Sequence, residues 1–188
     1  MLRVLHSAKP RLKAMVCMQR TLMDVGPKYF PDPSEHDFRI PELDHSSLQS
    51  ISRSWFDVEY LSTVNDYPSF PVHGYVYGRN SRLLVNLCCQ PEKYGSDPKA
   101  TPWVNVLFVF NTLSPLTYLS KNARAQLGCH HQLLLPVRMH SCLALDTHLS
   151  PEDSHFPELN ILGLDFMKRL KLKFVLGWRI EFEISSAG

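Results

Sequence analysis

The segment Trp103–Phe110 reads WVNVLFVF, a run of β-branched and aromatic residues that constrains the fold more than any other part of the sequence. Such side chains favour an extended backbone, and an apolar run of this length, interrupted only by Asn105, is typical of a strand buried on both faces. The chain also contains fourteen prolines, which leave little uninterrupted sequence for long helices. The sequence therefore predicts a mainly β domain around this strand.

Shorter segments on either side of the strand predict further extended structure and one or two short helices. Residues 75–77 and 83–89 flank the turn-forming sequence Gly-Arg-Asn-Ser, which is typical of a β-hairpin. Ser120 can cap a short helix that ends at Gly128. The other predictions are a loop over 90–102, strands over 132–139 and 141–145, a short helix over 165–171, and a closing strand or hairpin over 173–184.

The charge of the chain is unevenly distributed, although its formal net value is only +2. Residues 1–23 contain five of the twenty Lys and Arg side chains and no acidic residue, which leaves fifteen basic against eighteen acidic side chains in the rest. A basic, acid-free segment that also contains Leu, Met and Val resembles a mitochondrial transit segment. The alternative interpretation is a solvated basic tail.

Residues 26–41 contain four prolines among charged side chains and predict an extended arm or linker. We therefore predict a basic, Pro-rich N-terminal extension over residues 1–50 and a β domain over residues 51–188. The extension combines the possible targeting segment with the arm.

Composition disfavours several classes of protein. The small net charge does not indicate that nucleic acid is a partner. No segment approaches the roughly 18–20 consecutive apolar residues that a transmembrane helix needs, so a soluble or peripheral protein is expected. Five cysteines without a regular framework or a secretory signal predict reduced thiols rather than disulfides.

Two segments together carry a family resemblance. The first follows the central strand and reads FNTLSPLTYLS over residues 110–120, and the second reads HFPELNILGLDFM over residues 155–167. Their order and spacing resemble the retropepsin-like, single-domain aspartic proteases of the retroviral type. In that family an apolar strand runs into Asp-Thr/Ser-Gly, and a later apolar-apolar-Gly segment precedes a short helix. Over residues 70–184 the resemblance implies an acid-protease barrel.

The sequence departs from this family at the position of the catalytic acid. In the family, two subunits each contribute one aspartate, and the pair shares a proton and activates a water molecule. Asn111 matches that aspartate, Thr112 matches the second residue, and Leu113 replaces the glycine. A carboxamide cannot transfer the proton, and loss of a general acid–base typically costs a factor of about 10²–10⁴ in rate. The resemblance therefore implies a degenerate triplet without a catalytic residue.

The leading functional prediction is a non-catalytic aspartic-protease-like domain that serves as an accessory structural subunit of a larger mitochondrial assembly. A respiratory-chain complex, ATP synthase and the mitoribosome are candidate assemblies, and other protein subunits would be the partners. A homodimer and a bound peptide both stay open. One alternative is an active aspartic peptidase that uses another acid, for which Asp146 and Asp165 are the nearest candidates. Another is a peptide-binding module that keeps the substrate cleft of the family without cutting.

Other residues allow competing interpretations, and each has a simpler structural explanation. The vicinal pair Cys88-Cys89 suggests a redox site or two small buried side chains, and Ser114 with His130 or His131 suggests a nucleophile and base that nothing orients. We predict no cofactor and no metal, because the spacing of the zinc candidates fits no common structural pattern. Those candidates are Cys129, His130, His131, His140 and Cys142.

An aromatic cluster precedes and enters the predicted hairpin, and it indicates either a docking surface or core packing. Its members are Trp55, Phe56, Tyr60, Tyr67, Phe70, Tyr75 and Tyr77.

Overall fold

The β domain is described by a computed structural model, which covers residues 40, 42–65, 69–92, 101–130, 132–140, 143–176 and 180–186. The predicted basic segment at 1–23, nearly all of the predicted arm at 26–41, and residues 93–100 of the predicted loop lie outside the described residues. Within the described part, no helix is both long enough and apolar enough to span a membrane.

The described residues form three helices and ten strands. The helices are α1 (His45–Phe56), α2 (Lys121–Gln126) and α3 (Leu164–Met167). The strands are β1 (Thr63–Val64), β2 (Val72–Tyr77), β3 (Arg82–Pro91), β4 (Trp103–Phe110), β5 (Tyr118–Leu119), β6 (Leu134–Met139), β7 (Leu143–Leu149), β8 (Asn160–Leu162), β9 (Leu170–Leu176) and β10 (Ile180–Ser186).

Six of the strands, including β4, close into a barrel. Strand β4 pairs antiparallel with β3 along one edge and parallel with β8 along the other. From β8 the ring continues through β5, β7 and β6 back to β3, while β2, β10 and β9 extend outward from β3. This closed ring with its short helices confirms the prediction of a mainly β barrel.

The two faces of β4 contribute to two different hydrophobic clusters. Val106 and Phe108 belong to the cluster that also contains Leu87 and Val137 from neighbouring barrel strands. The alternate residue Leu107 belongs to a second cluster, together with Leu48 and Ile51 of α1. Because side chains alternate along a strand, both faces of β4 are covered, and residues 103–109 are all buried. The prediction of a strand buried on both faces is confirmed.

Most of the local predictions are confirmed, with shifted boundaries. Strands β2 and β3 pair antiparallel across the predicted turn, where Gly78 has a φ of +69°. The Ser120 side chain accepts a hydrogen bond from the backbone N–H of Ala123 and caps α2. Strands β6 and β7 start two residues later than predicted, β9 and β10 form the predicted closing hairpin, and α3 ends early because the chain joins β9 at Leu170.

Helix α1 was not predicted from the sequence, and it crosses the predicted domain boundary at residue 50. Its sequence HSSLQSISRSWF is rich in serine, which has a low intrinsic helix propensity. The Asp44 side chain caps the helix by accepting a hydrogen bond from the Ser47 N–H at 2.7 Å. Leu48 and Ile51 are buried against the second cluster, so tertiary packing offsets the weak propensity.

The aromatic cluster serves as packing between α1 and the β2 strand. Trp55 lies edge-on to both Tyr75 and Tyr77, with ring centroids 5.6 and 5.5 Å apart, and Phe56 lies 5.0 Å from Tyr75. These geometries are the favourable ones for aromatic pairs. Of the two interpretations of this cluster, the structure favours core packing for these four residues, while Tyr67 lies outside the described residues.

Candidate functional site

Asn111 follows directly after β4 and begins a tight turn at the end of the barrel. Its backbone N–H donates to the Leu162 carbonyl at 3.1 Å, and this bond continues the parallel pairing of β4 with β8. Its side-chain Oδ1 accepts the Leu113 N–H at 3.0 Å, and its carbonyl accepts the Ser114 N–H at 3.1 Å. The side-chain oxygen of Asn111 is thus used to form an Asx turn.

The other two residues of the predicted triplet point away from the core. Thr112 is exposed, and the Leu113 side chain is 63% exposed. The triplet therefore presents a half-buried carboxamide, a hydroxyl and an apolar side chain at the barrel end. None of these groups can give up or take a proton near neutral pH, so the turn offers no general acid or base.

The turn is held against a second loop through backbone hydrogen bonds. The Leu164 N–H donates to the Ser114 carbonyl at 2.9 Å, and the Asp165 N–H donates to the Pro115 carbonyl at 3.2 Å. We call residues 111–117 and 163–166, taken together, the double loop. The two segments that carry the family resemblance are therefore in direct contact.

Side chains reinforce the double loop. The Asp165 carboxylate accepts the Thr117 N–H at 2.9 Å on one oxygen and the Thr117 hydroxyl at 2.7 Å on the other. The same Thr117 hydroxyl accepts the Gly163 N–H at 3.1 Å. Charge-assisted hydrogen bonds of this kind are stronger than neutral ones. Asp165, a candidate catalytic acid in the alternative prediction, is therefore bound to Thr117 on both of its oxygens.

Gly163 is required by a close backbone approach. A Cβ atom at this position would lie 2.2 Å from the Leu116 carbonyl oxygen and 2.4 Å from the carbonyl carbon. Both contacts are far below van der Waals separation, and both neighbours are main-chain atoms. The glycine of the Asn-Ile-Leu-Gly segment thus allows the two halves of the double loop to touch.

Asn160 is a structural residue whose role was not predicted from the sequence. Its side chain is fully buried, accepts the Ser120 N–H at 2.9 Å, and donates to the Tyr60 hydroxyl at 2.9 Å and to the Leu107 carbonyl at 3.1 Å. Burial raises the pKa of Tyr60 to about 12, so the phenol stays neutral. A polar residue inside an apolar strand segment was the available signal, and its partners are distant in sequence.

Arg124 is a second buried residue that the sequence analysis did not single out. Its side chain is 1% exposed, and its guanidinium donates to the carbonyls of Gln132 at 2.8 Å, Leu133 at 3.4 Å and Thr147 at 2.7 Å. The arginine thereby ties α2 to the residues just before β6 and to the end of β7. Its role is structural, because all of these contacts are to backbone carbonyls.

The competing chemical interpretations find little support in the described residues. The Ser114 hydroxyl donates to the Leu116 carbonyl at 2.6 Å, a local turn bond, and His131 lies outside the described residues. Among the described residues no three His, Cys, Asp or Glu side chains are placed to hold a metal, and Cys142 is not among them.

The three described cysteines are free thiols, as predicted for them. Cys89 is fully buried in the barrel, and burial raises its pKa well above the ordinary value. Burial also raises the pKa of Cys88 to about 11. A protonated thiol is a poor nucleophile, which favours packing over redox chemistry for this pair.

His140 gives the domain a defined sensitivity to acid. Its Nδ1 accepts the Cys88 N–H at 3.3 Å, its ring packs 4.9 Å from Phe70, and burial lowers its pKa from 6.5 to about 4. As pH falls, the unfolded chain therefore binds a proton before the folded chain does. We expect stability to be unaffected by His140 above pH 6.5 and to fall between pH 6.5 and about 4, by on the order of 3 kcal/mol.

Urea unfolding across this pH range tests the expectation with His140→Asn. Asparagine can place an acceptor oxygen near the Nδ1 position and tolerates the positive φ of 47°, but it cannot be protonated. Between pH 6.5 and 4, the free energy of unfolding of the variant should depend less on pH than that of the wild-type chain. Hydrogen bonds from Ser47 lower the pKa of Asp44 from 3.8 to about 2, so Asp44 changes the free energy of unfolding only below pH 3.8 and does not affect this comparison. Equal slopes for both proteins would contradict the role of His140.

At the barrel end, next to the double loop, lies a groove of about 450 Å³. Its lining includes Leu116 and Asp165 from the double loop, Leu134, Pro136 and Asp146 from β6 and β7, and Arg169. We call this the β7 groove. Both acids of the alternative prediction, Asp146 and Asp165, line it.

Comparison with known proteins adds little to the description of the fold given above. No model of a known protein family matches the chain, and no curated protein matches it. One similar solved structure is the crystal structure of a retropepsin-like aspartic protease from Rickettsia conorii. The match covers 70% of this chain and 100% of that one, with 14% sequence identity and a TM-score of 0.39. This structural neighbour is therefore a distant one.

Proposed function

We propose that the chain is a non-catalytic aspartic-protease-like domain that acts as an accessory structural subunit of a larger, mitochondrial assembly. The observation that carries this proposal is the chemistry of Asn111, a carboxamide at the position where the resemblance implies the catalytic acid. Its oxygen is committed to the Leu113 N–H. An activated water would need an ionisable group there, and the triplet supplies none.

The use of the neighbouring acid supports the same proposal. Asp165 is the carboxylate next to the triplet in the double loop, and it holds Thr117 through two hydrogen bonds. A general base needs a carboxylate oxygen that faces the reacting water, and both oxygens of Asp165 already accept hydrogen bonds from Thr117. The double loop therefore favours a fixed scaffold over a reacting centre.

The proposed location follows from composition. Residues 1–23 carry five basic side chains and no acidic one, a composition that supports mitochondrial targeting. Protein subunits are the proposed partners, because the rest of the chain is slightly acidic and offers no general attraction to nucleic acid.

Purification of the tagged full chain under native conditions tests the assembly. We expect it to come from the mitochondrial fraction, with the same set of subunits in stoichiometric amounts. A chain that is found in another compartment, or that migrates alone, would contradict the proposal.

A peptidase assay tests the absence of catalysis. We expect no pepstatin-sensitive cleavage of unfolded protein substrates between pH 3 and 7, since the triplet lacks a proton-transfer group. The assay should include Asp165→Asn and, as a matched acid-to-amide control on an exposed loop, Asp153→Asn. Cleavage that is lost in Asp165→Asn and kept in Asp153→Asn would establish the alternative, an active peptidase.

A further inference from the structure

We propose that the β7 groove binds an extended segment of a partner protein, one that carries Lys or Arg side chains between apolar residues. The inference rests on the proposed function, since it assigns a contact surface to the accessory subunit. Three features support it: an unpaired stretch of strand edge, apolar side chains in the groove lining, and the exposed carboxylate of Asp146.

Strand β7 pairs with β6 along one edge, but its other edge is only partly paired. Its other neighbour in the ring, β5, pairs with His148 and Leu149, and no described strand pairs with residues 143–147 on that side. The open stretch is five residues long, which corresponds to about 16 Å of extended chain. An edge of this kind is a template for an added strand.

The register shows which backbone groups face the open side. The His148 N–H donates to the Thr117 carbonyl at 2.9 Å, so His148 directs its peptide groups away from β6. Along a strand, alternate residues direct their peptide groups to the same side, so those of Ala144 and Asp146 also face the groove. Pro136 lies opposite Asp146 and has no N–H to donate, in agreement with this assignment.

Arg169 shows that this edge accepts hydrogen bonds from outside the sheet. Its guanidinium, on the segment between α3 and β9, donates to the Ala144 carbonyl at 2.8 Å. The N–H and carbonyl of Asp146, one step further along β7, have no strand partner on this side among the described residues. A partner segment can therefore continue the pairing from this point.

Side chains beside the open edge define what the segment should carry. Leu134 is 47% exposed and lies with Leu116 and Pro136 in the groove lining, which suits apolar side chains. Asp146 is exposed on β7 and makes no ion pair among the described residues. Asp165 and Glu92 also line the groove, but Asp165 is bound to Thr117, Glu92 lies 3.6 Å from Arg138, and Arg169 adds one cation, so Asp146 supplies the unpaired negative charge. A cationic side chain between apolar ones is the complement of this surface.

Peptide titration of the full chain tests the inference. The probe is a fluorescent nine-residue peptide of alternating lysine and valine, and its anisotropy is measured against protein concentration. Two matched peptides serve as controls. In one, glutamate replaces lysine; in the other, the backbone nitrogens that would pair with β7 are methylated. We expect saturable binding of the lysine peptide alone, weakened by salt, because the glutamate peptide is repelled and the methylated one cannot pair.

Two variants locate the binding surface. Asp146→Lys should weaken binding of the lysine peptide at least tenfold, whereas Asp153→Lys makes the same charge change on an exposed loop and should alter it less than twofold. Both substitutions are at exposed positions, and far-ultraviolet circular dichroism checks that both variants fold. Absence of binding by the wild-type chain, equal effects of the two variants, or equal binding of the methylated peptide would overturn the inference.

Native purification separates this inference from the proposed function. If Asp146→Lys still co-purifies with the same subunits as the wild-type chain, the groove is not the contact surface, although the chain remains an accessory subunit. If the wild-type chain itself migrates alone, the proposed function fails. Loss of subunits from Asp146→Lys but not from Asp153→Lys supports both.

Discussion

Replacing Gly163 with alanine should destabilise the domain by about 4 kcal/mol or more, the range reached only by severe core or backbone conflicts. The added Cβ would lie 2.2 Å from the Leu116 carbonyl oxygen, and this oxygen belongs to the main chain. Relief requires the two halves of the double loop to separate, which would break the hydrogen bonds between Thr117 and Asp165. Free energies of unfolding from urea titration measure the effect.

Gly78→Ala is the matched control. Gly78 has a φ of +69°, so alanine there is strained, but a Cβ atom would meet nothing within 4 Å. We expect a loss of about 1–2 kcal/mol, the ordinary cost of a left-handed conformation. Equal losses in the two variants would contradict the close approach at Gly163.

Replacing Arg124 with methionine should destabilise the domain by about 3 kcal/mol. Methionine fills much of the space of the arginine stem but donates no hydrogen bond, so carbonyls that the guanidinium now binds lose their donor. A buried acceptor left without a partner costs about 1–3 kcal/mol. The Thr147 carbonyl, 2.7 Å from Arg124, should contribute most, because this residue is fully buried.

Two further arginine variants sharpen this prediction. Arg124→Lys keeps the charge but not the planar fork that reaches several carbonyls, so we expect an intermediate loss. Arg169→Met removes one exposed arginine–carbonyl bond and should cost less than about 1 kcal/mol. Unfolding free energies of Arg124→Met and Arg169→Met that agree within error would show that burial of Arg124 does not matter.

The sequence predicted those elements whose signal is local. Trp103–Phe110 was recognised because seven of its eight residues are apolar, which is incompatible with exposure of either face. The turn at Gly78 and the cap at Ser120 were recognised because single residues decide such features. Helix α1 was missed because its stability comes from Leu48 and Ile51 packing on distant strands, while its serines argue against a helix.

In the candidate site, too, the features with a local sequence signal were predicted and those without one were not. The position of Asn111 at the end of β4 was predicted from the order of the motifs, and its assignment as a lost catalytic residue stays a prediction. The contact of Asp165 with Thr117 joins residues 48 positions apart and has no local signature. The β7 groove was not predicted, because its open edge exists only where β5 is shorter than its neighbour.

The position of β4 between two hydrophobic clusters bears on how the domain opens. Neither cluster can lose its packing without uncovering one face of this strand, so local openings should rarely reach it. The peptide hydrogens of β4 should then exchange with deuterium only through events that open the entire barrel. Their exchange rates would report the global free energy of unfolding. A substitution that weakens the packing under α1 should therefore also destabilise the cluster on the other face of β4.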